Sequence, residues 1–400
     1  MNEAAWVIDR TLVEIQSEFE FLTLLAPNNV DQAWEGFRSS GFERAPNFEY
    51  PSIEIDPDAL RRRLARLDLE PVEDPGLLYF LAVKIEELDK ELGLVAARNT
   101  SSFLPRSMGL FGPVQHEYLH EAERLLESLD PDEPPRTDEV LDARECRRLV
   151  EEEFDHYHEM DTSFSARIEV RPEQAGFMAE GRDLFIPGEL SLAPGRARAF
   201  IQHEVGVHIV TWHNGSKQPL GLLTSGLSSY DELQEGFGTL AEYVVGGLTA
   251  DRMRDIAARV VAVKMTEERT HFVDIFRRLV RDYGFGEYHA FDVTSRVHSC
   301  GGFTRDQIYL RGLIYLLRYL HAGGALEPLY LGKVGHEEIP VVQDLGRRGV
   351  LREPPLKPRF LEIEGAEDAL AAVRRGIQPR DLVRKPGSPQ EARRMDVKAA

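Results

Sequence analysis

The stretch RARAFIQHEVGVHIVTWH, residues 196–213, constrains the fold more than any other part of the chain. Ala199, Phe200, Ile201, Val205, Val207, Ile209, Val210 and Trp212 leave no polar face, so a helix here is apolar nearly all round and must be buried. It takes His203, Glu204 and His208 into the interior with it, and buried ionisable groups need partners. Two imidazoles and a carboxylate are donors that suit zinc. The spacing is the obstacle. On an ideal helix, residues five apart diverge by about 140°, against about 40° for residues four apart. Histidines so far apart cannot reach one ion with bonds of about 2.0–2.1 Å. A π-like widening absorbs one residue and brings them together. The sequence therefore predicts such a widening near Val205–His208, eased by the Gly206 backbone.

A regular HExxH motif also occurs, at His116, Glu117 and His120. There the histidine face continues with Glu123, Arg124 and Glu127, while Tyr118, Ala122, Leu125, Leu126 and Leu129 form the apolar stripe. That pattern predicts a helix with its histidines in water and its leucines in the core.

A catalytic zinc needs a third protein ligand. His213 lies ten residues after His203, but Thr211 stands where a glycine would let the chain turn back. The stronger candidate is Glu235 in DELQEGFGTLAEY, residues 231–243. Glu235 and Glu242 share a helix face with Gly238 and Thr239, and Leu233, Phe237, Leu240, Ala241 and Val244 lie opposite. Gly236 and Gly238 would let another element approach closely. Glu242 is expected to orient a ligand through a hydrogen bond.

The fold class expected is mainly α with a small β-sheet (α+β). Residues 1–128 read as helical, 129–145 as an acidic, proline-rich linker, 146–378 as the catalytic domain and 379–400 as a flexible tail. The β signal is confined to SFSARIEV and AGFMAEGRDLFIPG, the latter a hairpin turning near Glu180-Gly181. Ser191 and Pro194 are expected to start the histidine helix and Asn214-Gly215 to stop it. A capping box, Ser229 to Glu232, is expected to start the next. The net charge of −20 argues against a nucleic-acid partner. Two cysteines, Cys146 and Cys300, give no disulfide framework. No signal-peptide pattern or membrane-spanning apolar run is present, so a cytoplasmic protein with no membrane partner is expected.

HEVGVH, QEGFGTLAEY and VTSRVHSCGGFTRDQIYLRGL resemble the QEGLA-motif family. Its bacterial members are labelled flavohaemoglobin expression-modulating proteins, and its animal relatives are microtubule-associated tyrosine carboxypeptidases, zinc enzymes that remove the C-terminal tyrosine of α-tubulin. The likeness extends through NFEYPSIEIDPDALRRRLARL and FLPRSMGLFGPVQ to GKVGHEEIPVVQDLGRRGVLREPP. It implies a zincin-like core with Zn2+ on His203, His208 and Glu235, and Glu204 as the catalytic glutamate. Phe237 and Gly238 stand where the family name has Leu-Ala, neither at a ligand position.

The reaction expected is hydrolysis of the C-terminal peptide bond of a protein or peptide, with Glu204 taking the proton of the attacking water. Tyr309 and His298 are candidate oxyanion donors. Arg296 and Arg305 are candidates for holding the substrate carboxylate. The strand Arg182–Pro187 is expected to pair with the substrate backbone. A non-catalytic, zinc-containing regulatory or binding protein is the alternative, and an intact Glu204 speaks against it. A zinc hydrolase of non-peptide amides is a third reading.

Overall fold

Proline and acidic caps set the first helices. Asp56 accepts a hydrogen bond from the Ala59 N–H and Pro57 opens the Pro57–Leu64 helix. Asp74 caps Gly76 and Leu77 at the head of the Pro75–Ala96 helix. Each side chain satisfies amide groups that have no partner inside the helix. A computed structural model describes residues 3–132, 140–171 and 176–383. The protein is mainly helical with one small sheet, as the periodicity predicts.

That sheet has three strands in the order β1-β3-β2. β1 (Arg167–Arg171) runs parallel to β3 (Asp183–Pro187), and β2 (Met178–Glu180) runs antiparallel to it. Glu180 pairs with Asp183, so Gly181 and Arg182 make the turn, with Gly181 at φ 58°. β3 is thus the central strand with both edges occupied, which excludes the backbone pairing expected of Arg182–Pro187. On the side of β2 away from β3, the Ala179 N–H donates to Glu204.

The histidine helix is continuous from Pro194 to Ser216 in three parts: α-helix to Ile201, π-helix over Gln202–Ile209 and α-helix from Val210. It is buried because two cores share it. Val207 belongs to a cluster running from Ala5 to Leu382, which includes Phe237 and Leu240. Val205, Ile209 and Val210 belong to a second cluster with Leu184 and Ile186 of the sheet. The helix is capped by Ala193 rather than Ser191. It passes through Asn214-Gly215 because Asn214 is held on three sides: it donates to the carbonyls of Tyr330 and Leu356 and accepts from the Leu356 N–H.

The next helix, Tyr230–Val244, starts without the expected capping box. Ser229 has φ 52° and its N–H donates to Glu87, while Glu232 is taken by Arg311. A tertiary ion pair wins over the local cap. The expected linker is partly described. Asp132 accepts from the Ala250 and Asp251 N–H groups, and the Ala143–Met160 helix starts within it on an Asp142–Glu145 capping box. Residues 133–139 lie outside the described residues, as do 384–400 of the expected tail. Before that point the chain stays packed, with Leu382 fully buried. Among the described residues no helix is long and apolar enough to cross a membrane.

Candidate metal centre

In the π segment the hydrogen bonds run from i to i+5, so residues five apart sit one above the other. His203 and His208 are such a pair, and their ring centroids lie 5.2 Å apart. The predicted widening is present. Gly206 makes room for it: a methyl group there would stand 2.9 Å from the Gln202 Oε1 and 3.4 Å from the Phe360 ring.

The Tyr230–Val244 helix brings Glu235 to the pair. One donor atom from each of His203, His208 and Glu235 lies within 4.8 Å of the other two. His203 Nε2 and a Glu235 oxygen are 3.4 Å apart. A tetrahedral ion with bonds of about 2.0–2.1 Å spaces its ligand atoms by about 3.3 Å.

The outer hydrogen bonds fix which ring nitrogens face the centre. His203 Nδ1 contacts a Glu242 oxygen at 3.0 Å, as expected of Glu242. His208 Nδ1 meets Gln234 Oε1 at 3.0 Å. The Gln234 amide in turn donates to Thr211 Oγ1 at 2.6 Å, and that hydroxyl donates to the Val207 carbonyl. This chain leaves Gln234 Oε1 as the acceptor, so His208 carries its proton on Nδ1. Each ring thus turns its Nε2 toward the centre, where its lone pair can meet a cation once any proton there has left, the arrangement a metal-binding histidine needs. The donor set and its outer partners fit a divalent ion.

Electrostatics agree. Burial works against charge on Glu235, but the hydrogen bond to His203 and the charges of both histidines outweigh it and hold the carboxyl below its usual range. Burial likewise opposes the charge of Glu242, and Arg252, His203 and Arg196 offset it. His203 is pulled down by burial and pushed up more strongly by Glu235 and Glu242, to about 10. An incoming cation would therefore displace a proton.

Glu204 stands beside this triad on the same helix turn. It accepts a 2.9 Å hydrogen bond from the Ala179 N–H of β2. Burial raises its carboxyl despite the nearby histidines and that hydrogen bond. A carboxylate of raised pKa is a stronger base.

The remaining candidates divide. Tyr309 is close enough to Glu235 for that carboxylate to raise its phenol, after burial, against the pull of Arg305, Arg259 and Arg296. Among the described residues Arg305 donates from its Nε alone, to Asp231 at 3.0 Å. Arg296 is forked onto Asp306 through Nε and Nη2. His298 packs edge-on against Phe272, burial lowers its imidazole with Thr270 opposing, and it is not grouped with His203, His208 and Glu235. Its buried Nε2 has no hydrogen-bond partner among the described residues. His213 is bound to Asp161 at 2.8 Å and is not a member of the triad. His116 and His120 are exposed, and Glu117 pairs with Arg318.

Sequence reasoning missed Gln234, Arg196, Arg252 and Ala179. Gln234 adjoins Glu235 in the QEG triplet, a signal that was available. The arginines and the strand amide carry no local signature, because only the tertiary fold brings them in. Alanine at His208 is expected to abolish stoichiometric metal binding, measured by elemental mass spectrometry on purified protein, and alanine at His120 to leave it intact. The reverse pattern would move the centre to residues 116–120.

The chain matches the protein-family profile described as microtubule-associated tyrosine carboxypeptidase over residues 35–378. A search of curated proteins finds no match.

Proposed function

The chain belongs to the microtubule-associated tyrosine carboxypeptidase family, and from that premise we propose that it is a zinc-dependent carboxypeptidase with Glu204 as general base. The observation that carries this reading is the convergence of His203, His208 and Glu235 within 4.8 Å, with the half-buried Glu204 beside them. A bound zinc ion would supply Lewis-acid polarisation of the scissile carbonyl and of the attacking water.

The chain's own residues do the rest. Glu242 and Gln234 hold the two imidazoles with Nε2 inward. Glu204 accepts the water's proton and delivers it to the leaving amine; the Ala179 N–H fixes the carboxylate that does so. Tyr309 is the oxyanion donor supported by proximity to Glu235. His298 has no such support. Arg305, with its terminal nitrogens not spent on Asp231, is better suited than the forked Arg296 to receive the substrate's carboxylate.

A protein or peptide C-terminus follows as substrate, and the family name points to tyrosine as the residue released. The test is mass spectrometry of the zinc-loaded protein with a peptide ending in tyrosine and with its C-terminal amide. Release of tyrosine from the acid form only is expected. Cleavage of both, or of small amides alone, would replace the carboxypeptidase reading with a general amidase.

A further inference from the structure

The helix Ala250–Glu267 lies outside the metal triad, yet one of its faces carries Arg252, Asp255 and Arg259, spaced three and four residues apart. Asp255 is 7% exposed and every side of its carboxylate is engaged. Oδ2 accepts from Arg252 Nη1 at 3.3 Å and pairs with Arg259 Nη2 at 2.8 Å, while Oδ1 contacts His289 Nε2 at 2.8 Å.

The two arginines weight different halves of the centre: Arg252 contacts Glu242 and its guanidinium carbon lies 5.8 Å from the Tyr309 ring centroid, while Arg259 lies closer to that ring. Arg252 Nε reaches a Glu242 oxygen at 3.4 Å, and the same oxygen contacts His203 Nδ1 at 3.0 Å. Arg259 lies over the Tyr309 ring, its guanidinium carbon 4.8 Å from the ring centroid. Among the described residues the buried Arg259 Nε has no hydrogen-bond partner, and Asp255 is the side chain's one ion-pair partner.

We propose that Asp255 is a positioning residue for both halves of the centre: through Arg252 and Glu242 it fixes the His203 ring, and through Arg259 it fixes the Tyr309 ring. One carboxylate holds two guanidiniums side by side in a buried place. Without its charge they repel each other: Arg252 is left with Glu242, which it shares with Arg196 and His203, and no other ion pair of Arg259 is found among the described residues. The first arm would loosen the orientation of a metal-binding imidazole, and the second would loosen the aromatic platform under Arg259. The second arm rests on the proposed role of Tyr309; the first does not.

The experiment uses the full chain loaded with zinc and a peptide ending in tyrosine. Zinc affinity is measured by chelator competition, and kcat and KM by tyrosine release. Asp255→Asn is expected to weaken zinc binding by roughly 10–100-fold, the range for partners of metal-binding histidines, and to lower kcat at saturating zinc. The arms should separate in single variants, which also serve if Asp255→Asn does not fold. Arg252→Lys should weaken zinc binding by a larger factor than it lowers kcat at saturating zinc. Arg259→Lys should leave zinc affinity unchanged and lower kcat, with little further loss when combined with Tyr309→Phe. A merely structural role would lower thermal stability in all three variants, with unchanged zinc affinity and additive effects on kcat, and that result overturns the proposal. Full activity in Tyr309→Phe alone would instead remove the role of Tyr309 and the second arm with it, leaving the zinc arm to stand or fall on Arg252→Lys.

Discussion

Glutamine at Glu204 is expected to lower kcat by about 10²–10⁴-fold while zinc remains bound. The substitution keeps the size of the side chain and an oxygen that can accept from the Ala179 N–H. It removes only the ability to take a proton. Glu204 is not in the ligand triad, so zinc content should stay that of the wild type. Folding should survive as well, because burial already pushes this carboxyl up and a neutral amide avoids that desolvation. A general base works deprotonated, so wild-type kcat/KM should fall on the acid side as Glu204 takes up a proton, and Glu204→Gln should lose that limb of the profile. Loss of zinc in Glu204→Gln would mean that Glu204 is a structural partner of the centre. Retained turnover would mean that another group takes the proton.

The candidate centre was legible because its residues obey local rules. The apolar surroundings of His203 and His208 required burial, and the five-residue spacing then required a π-helix, which is present over Gln202–Ile209. Glu235 could be picked because it shares a helix face with Glu242 and the two glycines. The helix starts were less legible. Ser191 and Ser229 have the right chemistry for capping, but Ser229 is drawn into a left-handed conformation by the Glu87 carboxylate, from a helix 142 residues earlier. Strand order was not legible at all. The hairpin of β2 and β3 is local, but the parallel pairing of β1 with β3 is a choice among edges that alternation alone does not make. That choice decides which strand presents an edge to Glu204. The outer arginines are the extreme case. Arg196 and Arg252 meet at Glu242 from opposite directions in the sequence, and an arginine in a helical pattern reads as a solvated charge until its partner is known.

Alanine at Gly238 is expected to cost the protein its zinc more than its fold. A methyl group there would stand 2.4 Å from His203 Cε1 and 2.6 Å from both ring nitrogens, well inside contact distance. The ring cannot step aside, because Nδ1 is held by Glu242, and Glu242 is held by Arg196 and Arg252. Zinc affinity should therefore drop on the order of a hundredfold or more, since a ligand itself is displaced. Within a helix, alanine is intrinsically better than glycine by about 1 kcal/mol, so helix propensity opposes any loss of stability. Gly312→Ala is the contrasting case. Its methyl would fall 1.9 Å from the Glu232 carbonyl oxygen, and one at Gly236 would fall 2.5 Å from the Gly312 carbonyl carbon. Here two helices, Tyr230–Val244 and Ile308–His321, touch backbone to backbone, and neither backbone can rotate away. The expected result is a loss of roughly 1–3 kcal/mol of stability or more, from overpacking. Chelator competition and thermal unfolding on the two variants should therefore give opposite rankings. Equal zinc affinity in Gly238→Ala and the wild type would show that the His203 ring can retreat, and the rigidity assigned here to Glu242 and its two arginines would then be wrong.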